Sequence, residues 1–362
     1  MDRKSHMVSQ KQIAQRLKLS TATVSKSFRY HPDIRAETRA AVFEAAARLG
    51  YRKNFSTSNV VARQKKEAKA DLRFIGILFN DYQGAKGHDQ ARTQYLAGLS
   101  DAAVSRNVSL IIHRCEDPKS LDVVMQMPAL RDGILEGLVL IHSIEPDVVR
   151  ALSTRLPCVT LTHLVSGART DHVDCDYMSS IAKLMDHLHA LGHRRIGFVG
   201  RFQKMAYSRA RFAAYIQSQA RLSLPTSLDW AVNVFNERDL DWNAQADFIV
   251  DRQRKQGVTA WVCASDFVAH HVYPRLIARG IRIPQEMSIT GFDAWNPVGI
   301  DPTESYPKLT TARVPFAEMG AMALVRLLER IDRPSQPPLQ ILLGCEVIEG
   351  ETSGPAPIES HS

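Results

Sequence analysis

Thr21, Ala22, Ser25 and Lys26 are the residues whose types and spacing carry the most legible chemistry in this chain. In a helix running from Thr21 to Phe28, Val24 and Phe28 point inward at i, i+4, which leaves these four on the outer face. Two hydroxyls, a methyl and an ammonium on a face of small residues can approach a groove floor closely and hydrogen-bond to base edges there. Other constellations lead nowhere comparable. Asp186-His187-x-His189 with His193 suggests a metal, but Gly192 ends the helix before His193 and no cysteine or carboxylate completes a zinc set. His270 and His271 are helix neighbours facing different directions. Asp174-Cys175-Asp176 could coordinate a metal, but no catalytic role is expected of it. No G-x-S-x-G, H-E-x-x-H or G-x-x-x-x-G-K-[ST] occurs, so acyl transfer, zinc hydrolysis and phosphate cradling have no sequence warrant. No catalytic residue, metal or cofactor is expected.

The elements around the reading face are short and well punctuated. Ser9-x-x-Gln12 forms a capping box for a first helix, in which Ile13, Ala14 and Leu17 recur at helical spacing. Lys18-Leu19 makes the turn and Ser20 caps the second helix. A third, Ala36 to Leu49, turns Val42, Ala46 and Leu49 inward and stops at Gly50. Two helices joined by a tight turn are how a protein presents one of them to the DNA major groove. Charge agrees. Residues 1–70 hold 16 Lys and Arg against 5 Asp and Glu, a net of +11; with the whole chain at +8, residues 71–362 carry −3. Such asymmetry favours a polyanionic partner. A membrane is the poorer choice because no apolar run reaches the roughly 18 residues that spanning requires. No secretory leader is visible, and five scattered cysteines without a C-x-x-C pair indicate neither a disulfide framework nor zinc. A cytoplasmic location is expected.

From Arg73 onward apolar strands alternate with amphipathic helices. Phe74–Phe79, Val108–Ile112, Gly137–Ile141 and Pro157–Leu161 make one strand series. Ile196–Gly200, Trp230–Val234, Ala260–Ala264 and Ser288–Phe292 make another. Intervening helices such as Ala91–Arg106, Ser179–Leu191, Ser208–Ala220 and Asp266–Arg279 suit right-handed crossovers. Two α/β lobes with parallel sheets follow, and ligands bind such sheets at strand C-terminal ends where the lobes face each other.

The N-terminal residues resemble the lactose-repressor (LacI/GalR) family. The matches are Ile13-Ala14, Leu19-Ser20-x-Ala22-Thr23-Val24-Ser25-Lys26, Glu37-Thr38-Arg39 and Leu49-Gly50-Tyr51-x-x-Asn54. The resemblance continues through His187-Leu188-x-x-Leu191-Gly192-His193-Arg194-Arg195-Ile196, Ser265-Asp266-x-x-Ala269, Gly291-Phe292-Asp293 and Leu309-Thr310-Thr311-x-Arg313-x-Pro315. It implies a helix-turn-helix domain followed by a type I periplasmic-binding-protein-like core of two lobes, with three chain crossings between them. By the resemblance Thr21 and Ala22 read bases, Lys26 stands where an arginine usually pairs with guanine, and Arg29 faces the groove. Ser9, Ser25, Thr38, Tyr51 and Asn54 fall on phosphate-contacting positions. Lysine lacks the planar fork of arginine, so a weaker demand for guanine is expected at that base. In the hinge, Val60 stands at the family's minor-groove leucine wedge and Lys53 replaces the usual proline. A shorter wedge implies a smaller kink.

The expected domains are a polar arm (1–7), a helix-turn-helix domain (8–53), a hinge (54–71) and an effector-binding and dimerisation domain (72–348). Within the last, the lobes are expected at 72–163 plus 294–325 and at 164–293 plus 326–348. Residues 349–362, rich in Gly, Ser and Pro, are expected to form a flexible tail. Asp81, Tyr82, Arg211, Phe235, Asp266 and Asp293 match effector positions of the family and sit at strand ends or a nearby helix face. Carboxylates and an arginine take paired hydroxyls, and an aromatic face covers an apolar ring side. Asp266 taken alone reads equally well as a helix cap. Arg92 stands where the family has aromatics, which would place it facing the cleft and favour an acidic or heavily hydroxylated ligand. Trp295 is a second stacking face or interlobe packing. The resemblance thus implies a homodimeric repressor of a pseudo-palindromic operator in double-stranded DNA, controlled by a small effector of carbohydrate type. The alternative is a sugar-modifying or hydrolytic α/β enzyme with an appended nucleic-acid module, which lacks a visible nucleophile or acid/base pair.

Overall fold

A computed structural model describes residues 9–28, 33–49, 72–80, 88–115, 120–142, 144–200, 206–232, 241–295 and 306–358. The chain divides into two compact units, Met1–Lys69 and Ala70–Ser362.

The first unit contains helices α1 (Gln10–Leu17), α2 (Thr21–Phe28) and α3 (Ala36–Leu49). Its small core is Ile13, Ala14, Val24, Phe28, Val42, Ala45 and Ala46, with Leu17, Leu19 and Leu49 packed against it. Phe28 meets Phe43 edge-to-face, ring centroids 5.3 Å apart. The helix ends follow local rules. The Gln12 side chain accepts the Ser9 backbone N–H at 2.7 Å. Lys18 turns left-handed (φ 52°) and closes α1 on the carbonyls of Ala14 and Gln15. The Ser20 hydroxyl accepts the Thr23 N–H at 2.9 Å and starts α2.

The second unit is built on two six-stranded sheets. Sheet one comprises β1 (Arg73–Asn80), β2 (Val108–Cys115), β3 (Gly137–Ile141), β4 (Cys158–Leu161), β5 (Thr170–Cys175) and β11 (Gln340–Leu343), in the order β2-β1-β3-β4-β5-β11, all parallel. Sheet two comprises β6 (Ile196–Val199), β7 (Ala231–Val232), β8 (Ala260–Cys263), β9 (Ser288–Asp293), β10 (Thr310–Arg313) and β12 (Glu346–Ile348), in the order β7-β6-β8-β9-β10-β12. Only β12 runs antiparallel to its neighbour there. Strands β3, β4, β6 and β8 are buried along their whole length, as expected for parallel strands covered on both faces.

The helices are α4 (His88–Val104), α5 (Leu121–Met125), α6 (Pro128–Arg131), α7 (Pro146–Ser153), α8 (Tyr177–Ala190), α9 (Ala206–Arg221), α10 (Trp242–Gln256), α11 (Asp266–Ile277) and α12 (Phe316–Asp332). Helices α4 and α12 cross backbone to backbone. A Cβ on Gly98 would strike the Ala317 carbonyl, and one on Gly320 the Tyr95 carbonyl, so only glycine permits the approach.

Sheet membership corrects the expected lobe bounds. β5 belongs to sheet one and not to 164–293 of the second lobe, and β10 belongs to sheet two and not to 294–325 of the first. β11 lies in sheet one, and α12 packs as a single helix over α4, β3, β4 and β5. Among the described residues the chain therefore passes between sheets at 175–177, 313–316 and 343–346. The reason is that β5, Thr-Asp-His-Val-Asp-Cys, hides its strand character behind buried polar residues. Asp171 is fully buried because Arg326 and Arg330 meet it at 2.8 and 2.6 Å and the Leu339 N–H donates to it at 2.6 Å.

The tail also departs from expectation, because residues 349–358 dock on the second lobe. Thr352 is fully buried and exchanges hydrogen bonds with Ile289, its O accepting the Ile289 N–H at 2.8 Å and its hydroxyl donating to the Ile289 carbonyl at 2.7 Å. Ala356 N–H donates to Leu191 O at 2.8 Å. His193, fully buried, meets Thr259, Ser288 and the Gly354 carbonyl, which anchors the same segment.

Candidate functional site

On the first unit, capping and periodicity fix which side chains of α2 face outward. Val24, Ser27 and Phe28 are buried while Thr21, Ala22 and Lys26 are exposed and Ser25 is half-buried. The Ser27 hydroxyl donates to the Thr23 carbonyl at 2.8 Å, so it serves the helix and not the face. Ser9 is exposed at the start of α1, and Thr38 is half-buried in the first turn of α3. A partner that local sequence did not suggest is Asp33, whose carboxylate meets the Lys26 ammonium at 3.2 Å with both side chains exposed. Arg29, Tyr51, Asn54 and Val60 lie outside the described residues.

In the second unit, strand C-terminal ends and the crossovers enclose a cavity of about 390 Å³, part of it open to solvent. Sheet one contributes His142 after β3, Thr162 after β4 and Cys175 at the end of β5; sheet two contributes Asp293 at the end of β9. Tyr95 on α4, Tyr177 on α8, Arg211 on α9 and Phe316 and Met319 on α12 complete the wall, with Trp295. Four residues at these strand ends hold positive φ without being glycine: His142 (64°), Thr162 (61°), Asp293 (115°) and Ala294 (59°). Such backbone costs on the order of 1–3 kcal/mol per residue and gathers where ligands are held.

Arg211 and Asp293 form the charged centre. Arg211 Nη2 donates to Asp293 Oδ1 at 2.7 Å and Nη1 donates to the Ala264 carbonyl at 2.6 Å. Its guanidinium lies 3.8 Å from the Phe292 ring centroid and 4.8 Å from that of Tyr207. Burial works against this charge, yet Asp293, and Tyr177 after it, hold the guanidinium pKa above its ordinary value. Burial, followed by the charge of Arg92, lowers His142 to about 4, so the imidazole is neutral near pH 7. Burial and Asp174 raise the Tyr177 phenol, whose O–H donates to Asp174 Oδ1 at 2.8 Å. Trp295 stacks on Phe316, centroids 6.0 Å apart, and thus both lines the cavity and packs an interlobe crossover. The wall can place aromatic faces against an apolar ring side and a carboxylate and guanidinium against hydroxyls.

Not every expected effector residue joins it. Asp266 is buried beside the cavity but not on its wall. Its Oδ1 accepts the Thr311 hydroxyl at 2.6 Å and its Oδ2 the Trp295 N–H at 2.6 Å. Gly291 makes room for it, since a Cβ there would strike this carboxylate. It does not cap α11 either: Ser265 does, accepting the Val268 N–H at 3.4 Å. Asp266 therefore positions Trp295. Burial, then Asp293, raises its pKa to about 7, against the pull of Thr311, the Trp295 N–H and Arg211. Arg92 is likewise off the wall, its guanidinium 4.9 Å from the Phe79 ring centroid. Asp81, Tyr82 and Phe235 lie outside the described residues. His142 and Thr162 escaped the sequence reading although they follow strands as Asp293 does; Tyr95 and Tyr177 carry no local signal at all.

The histidines weighed for metal have other occupations. His187 hydrogen-bonds Ser353 at 2.9 Å, Asp186 pairs with Arg221, and His271 hydrogen-bonds the Phe267 carbonyl at 2.7 Å. No described helix is long and apolar enough to cross a membrane.

Residues 185–353 match a family profile described as a periplasmic binding protein-like domain. The HTH-type transcriptional regulator AglR of Rhizobium meliloti (strain 1021) is 26% identical over 356 residues, which is 98% of this chain and 96% of that protein. The lac repressor dimer bound to operator and the anti-inducer ONPF superposes with a TM-score of 0.61 at 21% identity, covering 96% of this chain and 99% of the other. The chain is thus similar over nearly its whole length to a transcriptional regulator and shares the fold of the lac repressor. A second solved structure, transcriptional regulator CelR in complex with cellobiose, gives a TM-score of 0.62 at 18% identity, over 95% of this chain and 99% of that chain. The relatives carry the names of transcriptional regulators, and in this chain helix α2 and the cavity belong to separate units.

Proposed function

We propose that this protein is a cytoplasmic, sequence-specific repressor that binds a pseudo-palindromic operator as a homodimer and changes its operator affinity when a carbohydrate-type ligand fills the interlobe cavity. One helix-turn-helix reads a half-site, so a two-fold dimer matches a two-fold operator. The observation that carries the reading is the buried Arg211–Asp293 pair at the meeting of two lobes, set among Tyr95, Tyr177, Trp295 and Phe316. A charged pair that can share hydroxyls, beside aromatic faces, is what a polyol with an apolar ring side requires. Thr21 and Ala22 read bases; Ser9, Ser25 and Thr38 touch phosphates; Lys26 contacts a base edge. The likeness to the operator-bound lac repressor and to the cellobiose complex supports both halves of this reading.

The test has two arms. Selection from a random duplex pool is expected to return a palindromic sequence whose affinity falls steeply with salt. A thermal-shift screen over sugars, sugar acids and nucleobases is expected to find a stabilising sugar or sugar acid that alters affinity for that sequence. No duplex preference over random competitor would remove the regulator reading; a stabilising ligand confined to the nucleobases would remove the carbohydrate.

A further inference from the structure

We propose that Cys175 and Cys345 form an oxidisable dithiol that closes to a disulfide across two of the interlobe crossovers. Their Sγ atoms lie 3.0 Å apart, and both thiols are free and buried. A disulfide needs about 2.05 Å between sulfurs, so closure asks for a movement of about 1 Å. Cys175 ends β5, where the chain leaves sheet one for α8, and Cys345 lies between β11 in sheet one and β12 in sheet two. The two segments are already tied there: Cys175 is in register with Leu343, and the Asp176 N–H donates to the Leu343 carbonyl at 2.8 Å. A covalent link would add a bond between two of the places where the lobes are joined.

Burial does not seal the pair from small oxidants, because Cys175 lines the cavity that opens to solvent. The surroundings favour a thiolate. The Ser180 hydroxyl lies 3.9 Å from the Cys175 sulfur, and Arg211 brings positive charge into the same cavity. The hydrogen bond from Cys175 pulls Cys345 below the ordinary thiol value against its own burial, with Ser180 and Arg211 adding to the effect. Its partner, which keeps the shared proton, is pushed up by that bond and by burial. The pair therefore gives up one proton more readily than an isolated buried thiol.

The oxidant is a hydroperoxide. The thiolate attacks one peroxide oxygen, the O–O bond breaks, and the departing hydroxide takes a proton to leave as water. The resulting sulfenic acid is attacked by the second sulfur. The S–S bond forms as the S–O bond breaks, and the second thiol's proton leaves with that oxygen as a second water. Two thiols and one hydrogen peroxide thus give one disulfide and two waters, sulfur losing the two electrons that the peroxide gains.

The experiment uses the full chain, treated with hydrogen peroxide or with dithiothreitol, alkylated, digested without reductant and mapped by mass spectrometry. A linked peptide pair joining Cys175 to Cys345, two hydrogens lighter than the reduced pair and restored by dithiothreitol, is the expected result. Recovery of both residues as alkylated thiols, or as unlinked sulfinic acids, from peroxide-treated protein that keeps its circular dichroism spectrum overturns the proposal. In Cys175→Ser, which lacks the resolving sulfur, Cys345 is expected to stop at a sulfenic acid trapped by a cyclic 1,3-diketone. Because the unmodified sequence decides the matter by its own peptide map, a variant that fails to fold leaves the proposal testable.

Discussion

Arg211 and Asp293 meet at 2.7 Å with each side chain only 4% exposed, and the pair joins the middle of α9 to the end of β9 under the cavity floor. Removing one partner leaves the other charged and buried, which costs about 3–5 kcal/mol. Asp293→Ala is therefore expected to lower the melting temperature clearly and to abolish ligand-induced stabilisation. Arg211→Lys keeps the charge but cannot serve Asp293 and the Ala264 carbonyl with one planar fork. It is expected to retain most of the fold while losing ligand stabilisation by tenfold or more in apparent affinity. Differential scanning fluorimetry with the best ligand from the screen measures both. Full ligand response in Arg211→Lys would show that the guanidinium is scaffold only.

Asp266 gives the protein a pH signature. Its carboxyl is neutral in the folded chain up to about pH 7, whereas in the unfolded chain it ionises near 3.8. Below about pH 4 both states are protonated and the neutral acid costs nothing. As pH rises from there to about 7 the unfolded state gains by ionising alone, so stability falls; above 7 the difference is constant. The shift corresponds to on the order of 4 kcal/mol at most. Asp266→Asn keeps an acceptor for the Trp295 N–H and offers Thr311 an amide donor in place of the oxygen its hydroxyl donates to, without the charge. Urea midpoints between pH 5 and 8 are expected to fall less steeply in the variant. Parallel slopes would assign the pH dependence to other groups.

The two units differ in how much of them local sequence reveals. The helix-turn-helix is set by capping boxes, i, i+4 contacts and a turn, all within ten residues of each other, and these can be read directly. The α/β unit shows its apolar strands equally well, but β5 does not look like a strand until Arg326 and Arg330, over 150 residues away, neutralise Asp171. That one concealed strand displaces the lobe bounds. The cavity divides the same way. Asp293 is found by the rule that ligands meet strand C-terminal ends, a rule that reaches His142 and Thr162 as well. Tyr95 sits in the middle of a helix face and reaches the cavity only because Gly98 and Gly320 let α12 come close. Asp266 obeys the strand-end rule yet turns its carboxylate to a backbone N–H, a choice decided by Gly291 and Thr311.

Lys26 pairs with Asp33 at 3.2 Å. Exposed pairs of this kind are worth about 0.2–1 kcal/mol. Asp33→Asn is thus expected to raise affinity for the selected duplex by about 2- to 5-fold, by releasing the ammonium and removing a negative charge beside the proposed reading face. Lys26→Ala is expected to weaken binding by on the order of 1 kcal/mol and to relax preference at one base pair. Fluorescence anisotropy against the selected operator and its single-base variants reads both effects. Unchanged selectivity in Lys26→Ala would take Lys26 out of the base-reading set.

Thr352 tests whether the docked tail carries stability. Its hydroxyl accepts the Thr310 N–H at 3.0 Å and donates to the Ile289 carbonyl at 2.7 Å, and the residue is wholly buried between β9 and β10. Valine has nearly the same shape, so Thr352→Val opens no cavity but strands a buried N–H and loses a donor to a carbonyl. Each unmade bond costs about 1–3 kcal/mol, and a melting temperature lower by several degrees is expected. Truncation after Gly350 should cost more, because it also removes the Gly354 carbonyl from His193 and the Ala356 N–H from Leu191. A tail that merely trails from the lobe would leave both variants melting with the parent protein, and calorimetry on the three chains separates the two cases.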